Sequence, residues 1–204
     1  MDIINRLNKL DPHYHKFADK DKYTDILTNL PILIAGFYIL SYKNQKLKVL
    51  GIHVILLSIA SSYYHINPNN NTILVDLLSI SLISSLLIMY LLDIQNNYIK
   101  IILYLSAIGT VLYWKYSNNL LPYSLFWLTV TILLLYKYYD TKFKYKSLLI
   151  VGLIAIIRIV EIYDKQIYKL TNNILSGHSL KHILAGIGIY LIADLLNESK
   201  LVKV

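Results

Sequence analysis

Ser61-Ser-Tyr-Tyr-His65-Ile-Asn-Pro68-Asn-Asn-Asn-Thr72-Ile-Leu-Val-Asp76 joins the end of one apolar run to the start of the next. Its six-residue polar break, 66–71, holds Pro68 and four Asn, residues that stop one helix and start another. Ser61 and His65 are four apart and share one face of the helix before the break. Asp76 falls about one turn inside the helix after it, roughly 6–7 Å deep at 1.5 Å per residue. A Ser, a His and an Asp can thus converge at one depth below a membrane surface. Far along the chain, Ser176-Gly-His178-Ser-Leu-Lys-His182 adds two His at i, i+4.

A membrane setting follows from composition. Of the 204 residues, 56% are hydrophobic and 16% charged, far from the usage of soluble domains. Apolar runs recur between short polar breaks and predict seven helices, at about 26–42, 47–66, 72–92, 98–116, 120–137, 146–164 and 179–196. Several approach the ~20 residues that cross ~30 Å of hydrocarbon. The expected fold is an all-α integral membrane protein, a seven-transmembrane helix bundle over 26–200. A polar segment, 1–25, precedes it, with Ile3, Leu7 and Leu10 as the stripe of a short interfacial helix. That segment does not resemble a cleavable signal peptide.

The formal net charge of +8 is not read as a nucleic-acid signal, because the Lys residues sit in the breaks, where loops face anionic headgroups. Lys43, Lys46, Lys48, Lys137, Lys142, Lys144, Lys146, Lys200 and Lys203 fall on one side of a seven-crossing chain. Lys115, Lys165, Lys169 and Lys181 fall on the other, with the charge-balanced N-terminal segment. This asymmetry predicts a cytoplasmic C terminus and a site facing away from the cytoplasm.

With no Cys in the chain, a transition metal must be held by His and carboxylates. Each His alone reads as a packed or interfacial residue. Three at matching depth beside Asp76 reverse that reading, since ionisable groups inside hydrocarbon are costly and normally functional. His65, His178 and His182 make a facial set that leaves a fourth zinc position open to water, as catalytic zinc sites do. Asp76 reads either as a helix-start carboxylate favoured by the macrodipole or as the general base. Ser61 reads either as a hydroxyl bonded to its own helix or as a group holding water or an oxyanion.

Other residues carry less. His53 lies about 18 Å along the helix from His65 and belongs to the opposite interface. His13 and His15 read as solvated. Arg158, Glu161 and Asp164 are expected to form an ion-pair ladder on one helix face. Asn70-Asn71-Thr72 matches a glycosylation sequon but lies too close to the membrane to be an acceptor. Ala185, Gly186 and Gly188 mark a close helix contact.

The pattern Ser61-x3-His65-x10-Asp76 with His178-x3-His182 resembles the alkaline ceramidase family, part of a superfamily of seven-helix membrane hydrolases that includes the adiponectin receptors. Likeness extends from Asp11-Pro-His-Tyr-His15-Lys-Phe-Ala-Asp19 through Leu27-Thr-Asn-Leu-Pro31 and covers nearly the whole chain, which is compact, as in bacterial-type members. The resemblance implies zinc on His65, His178 and His182, with Asp76 and Ser61 around the water. It also implies hydrolysis of a ceramide-like lipid to a fatty acid and a sphingoid base. Eukaryotic members carry an acidic N-terminal cluster that binds calcium. Here Asp19, Asp21 and Asp25 occupy that region, but Lys20 and Lys22 interrupt them and the spacing differs, which argues against calcium. Rival expectations are a hydrolase of another lipid, such as a phospholipid ester or an N-acyl amino lipid, and a seven-helix receptor with structural zinc. A transporter would require helices broken at mid-membrane, and Pro68 and Pro122 sit at helix ends instead.

Overall fold

The computed structural model describes residues 22–201, and every regular element among them is a helix. These are α1 (Lys22–Thr28), α2 (Leu30–Leu40), α3 (Gln45–Ile66), α4 (Asn70–Leu91), α5 (Asn97–Ser117), α6 (Leu121–Tyr138), α7 (Lys144–Ile162), α8 (Asp164–Leu170) and α9 (Gly177–Leu201). The expected interfacial helix, His13, His15, Asp19, Asp21 and Lys203 lie outside the described residues.

Five segments are long and apolar enough to cross a membrane: Lys22–Leu40, Gln45–Ile66, Asn70–Leu91, Leu121–Tyr138 and Gly177–Lys200. By length and composition the chain is therefore a multi-pass membrane protein. Of the expected spans, α5 and α7 do not reach that standard. Four Tyr and a Trp dilute the hydropathy of α5, and α7 carries Lys144, Lys146, Arg158 and Glu161. Exposed apolar side chains nevertheless run along α2, α3, α5 and α7, including Phe37, Leu56, Leu105 and Leu149. Such an apolar exterior suits lipid rather than water.

Local chemistry sets the helix ends. Asn69 Oδ1 accepts the N–H groups of Asn71 and Thr72, while Thr72 Oγ1 accepts the Asn69 N–H, a reciprocal capping box. It starts α4 two residues before the expected position, so Asp76 sits roughly 9 Å along that helix. The first expected helix, 26–42, begins earlier and is interrupted at Asn29. Pro31 lacks an N–H and cannot continue the backbone ladder. Asn29 N–H bonds to Ile26 C=O at 3.2 Å instead of reaching back to Asp25. The helix expected to end at 164 stops at Ile162, and the separate turn α8 follows.

Packing closes a ring. In turn α2 meets α3, α3 meets α4, α4 meets α6, α6 meets α7, α7 meets α9, and α9 returns to α2; α5 lies against α4 and α6. Gly186 makes the closing contact possible, because a Cβ there would lie 2.6 Å from the backbone carbon of Pro31. Gly188 is looser: its nearest neighbour would be Leu153 Cδ2 at 3.5 Å. Inside the ring, one end is filled by Ile39, Leu47, Leu87, Leu134, Ile150 and Leu195. The other end buries polar side chains instead, among them Asp25, Ser61, His65, Asp76, Ser176, His178, Ser179 and His182. An interior that is dry at one end and polar at the other needs a reason, since each buried polar group must find a partner.

Candidate metal centre

His65 ends α3, and His178 and His182 lie in the first two turns of α9. All three are buried, and one ring nitrogen from each lies within 4.8 Å of the others. Their ring centroids are 4.9 Å apart for His65 and His178, 5.1 Å for His65 and His182, and 4.6 Å for His178 and His182. Among the described residues this trio is the only group of three or more His, Asp or Glu placed to hold a metal ion.

The start of α9 is fixed by acceptors for three of its early N–H groups, which a helix leaves without internal partners at its start. Asp164 Oδ1 accepts the His178 N–H at 2.7 Å. Ser176 Oγ accepts the Ser179 N–H at 2.9 Å, and Ser176 C=O accepts that of Leu180 at 3.1 Å. Gly177 is required here, because a Cβ would lie 2.0 Å from Val160 C=O. Asp164 therefore anchors α9 where the sequence reading placed it in an ion-pair ladder. The break after Ile162 puts Asp164 at the start of α8, within reach of the His178 N–H. Arg158 does pair with Glu161, and Lys181 Nζ from α9 reaches Glu161 at 3.3 Å.

Two of the three rings have their Nδ1 atoms engaged by one residue. His65 Nδ1 lies 3.2 Å from Asp25 Oδ2, within pairing distance though outside ideal hydrogen-bond angles. His182 Nδ1 lies 3.2 Å from Asp25 C=O and 3.3 Å from Thr28 Oγ1. Carbonyl oxygens accept only, so the proton of His182 sits on Nδ1 and its Nε2 carries the lone pair. His65 Nε2, fully buried, has no hydrogen-bond partner. An orphaned imidazole nitrogen in a three-histidine cluster suits a bound cation, and neutral imidazole suits zinc among other divalent metals.

Ser61 and Asp76 complete the surroundings. Ser61 Oγ lies 3.4 Å from His182 Nε2. Asp76 is 8% exposed, and its Oδ1 has no hydrogen-bond partner. Its carboxylate does not belong to the metal-holding group. The structure thus gathers the three His, puts Ser61 against one of them, and buries Asp76 in the same polar half of the ring.

The sequence reading did not assign Asp25, Thr28, Ser176 or Ser179 to the site. Asp25 entered it only as part of an acidic N-terminal region. In the structure its carboxylate is committed inward, accepting from Ser179 Oγ at 2.6 Å and Ser176 Oγ at 3.3 Å. Ser176 at the helix start was the one legible signal, as a cap residue. The chain matches no protein-family model, and neither a curated protein nor a solved structure matches it.

Proposed function

We propose that the chain is a zinc-dependent lipid amidase working inside the membrane, with a ceramide-like N-acyl sphingoid lipid as substrate. The observation that carries this reading is the three-histidine cluster, with an uncapped Nε2 on His65 and a buried Asp76 whose Oδ1 has no hydrogen-bond partner. A structural metal site needs neither Asp76 nor Ser61. The resemblance to alkaline ceramidases, in the same five residues, supplies the substrate class. In this reading α5 and α7, 21 and 19 residues long, complete seven crossings beside the five apolar spans. The Lys asymmetry supports a cytoplasmic C terminus with the site on the opposite side.

Zinc held by His65, His178 and His182 would supply Lewis acidity to the substrate carbonyl and lower the pKa of a water towards about 7. Asp76 accepts a proton from the attacking water as the water oxygen adds to the amide carbon. Ser61 Oγ–H donates to the carbonyl oxygen as negative charge develops there. The C–N bond then breaks, the leaving nitrogen takes the proton from Asp76, and a fatty acid and a sphingoid amine are the products. The apolar exterior lets the acyl chain approach from the lipid side.

Hydrolysis of a short-chain fluorescent ceramide by the purified protein in detergent, with zinc measured in the same sample, tests the proposal. Zinc-dependent release of fatty acid is the expected result. Cleavage of a phospholipid ester or an N-acyl amino lipid, with ceramide untouched, would keep the chemistry and overturn the substrate. No hydrolysis by zinc-loaded protein would favour a receptor.

A further inference from the structure

We propose that Asp25 is the positioning residue of the three-histidine site, turning His65 through its carboxylate and His182 through its backbone carbonyl. This rests on the metal reading above and adds the device that makes the ligand set point one way. A histidine can bind a metal through either ring nitrogen, and a hydrogen bond to the other decides which. The Asp25 contacts to these two rings both fall on Nδ1, which leaves Nε2 of each ring to the metal.

The local fold makes one residue capable of both tasks. Because Asn29 N–H bonds to Ile26 C=O, Asp25 C=O is released from the i to i+4 backbone bond it would otherwise accept. Thr28 Oγ1, Asn29 Nδ2 and His182 Nδ1 gather on it at 3.1, 3.2 and 3.2 Å. The interruption ahead of Pro31 thereby becomes part of the site. The Asp25 carboxylate is held just as firmly. It is 2% exposed, takes the hydroxyls of Ser176 and Ser179, and lies against the N-terminal turn of α9, whose dipole favours negative charge. One carboxylate thus ties α1 to the start of the helix that carries His178 and His182, and to His65 on α3.

The variant Asp25→Asn separates positioning from mere anchoring. Its Oδ1 can still accept from Ser179, which leaves an N–H₂ group facing His65 Nδ1 and favours the tautomer with the proton on Nε2. Zinc affinity of the full-length protein, measured by chelator competition, should fall about 10–100-fold. The visible spectrum of the Co²⁺-loaded variant should change, while thermal unfolding of the metal-free variant stays near wild type. Wild-type zinc affinity together with an unchanged Co²⁺ spectrum overturns the positioning role. Failure of the wild type itself to bind zinc is a different result and removes the metal reading with it. Should Asp25→Asn not fold, ¹⁵N spectra of the six histidines in metal-free wild type decide. His65 and His182 are expected as Nδ1–H tautomers, and His65 found as Nε2–H overturns the proposal.

Discussion

Ser61 Oγ lies 3.4 Å from His182 Nε2, a contact between residues 121 positions apart in the chain. It links the last turn-and-a-half of α3 to the second turn of α9, the two helices that carry all three His. Ser61 does not simply bond back to its own helix, the blander reading of a membrane Ser. If its hydroxyl donates to a developing oxyanion, Ser61→Ala should lower amidase turnover by about 10²–10³-fold. Zinc content should be unchanged. A wild-type rate in the zinc-loaded variant would return Ser61 to a packing role.

Asp76→Asn keeps the size of the side chain and removes the proton acceptor. With His65, His178 and His182 intact, the protein should stay folded and metal-loaded while the rate falls by about 10²–10⁴-fold. Equal rates for wild type and a zinc-replete variant would sink the general-base mechanism.

Metal stoichiometry tests the cluster directly. Purified protein should hold about one zinc per chain, the stoichiometry of a single three-histidine site. His178→Ala with His182→Ala should remove it, because one nitrogen ligand is then left. Full retention in that double variant would mean that zinc sits elsewhere.

The glycines of α9 predict a contrast in stability. Gly186→Ala puts a Cβ 2.6 Å from the backbone of Pro31, which cannot yield without moving α2. The expected cost is about 1–3 kcal/mol, the usual range for overpacking. Gly188→Ala meets Leu153 at 3.5 Å and Ile157 at 4.0 Å, ordinary contacts, and should be close to neutral. Thermal unfolding of both in one detergent compares them, and equal midpoints would contradict the packing described.

Topology is checked by single Cys residues, which the Cys-free chain makes clean. A Cys at Asn70 should be labelled from the non-cytoplasmic side and one at Lys142 from the cytoplasm. The opposite pattern would put the site against the cytoplasm without altering its chemistry.

Helix content and the membrane setting were legible in the sequence because they depend on local quantities: run length, hydropathy and the Pro- and Asn-rich breaks. The gathering of His65, His178 and His182, with Ser61 beside one of them, was legible too, since i, i+4 spacing and distance from a helix end place residues on one face at one depth. What local patterns could not supply was the role of Asp25. Its worth depends on an interruption at Asn29, on Ser176 and Ser179 some 150 residues later, and on ring packing that brings α1 beside α9. Asp164 is the same kind of case: the helix ends at Ile162, and the carboxylate two residues on accepts the His178 N–H at the start of α9. A carboxylate's partner is chosen by three-dimensional closure at hydrogen-bond range, and a periodic pattern along one helix carries no information about which distant N–H or O–H will arrive there.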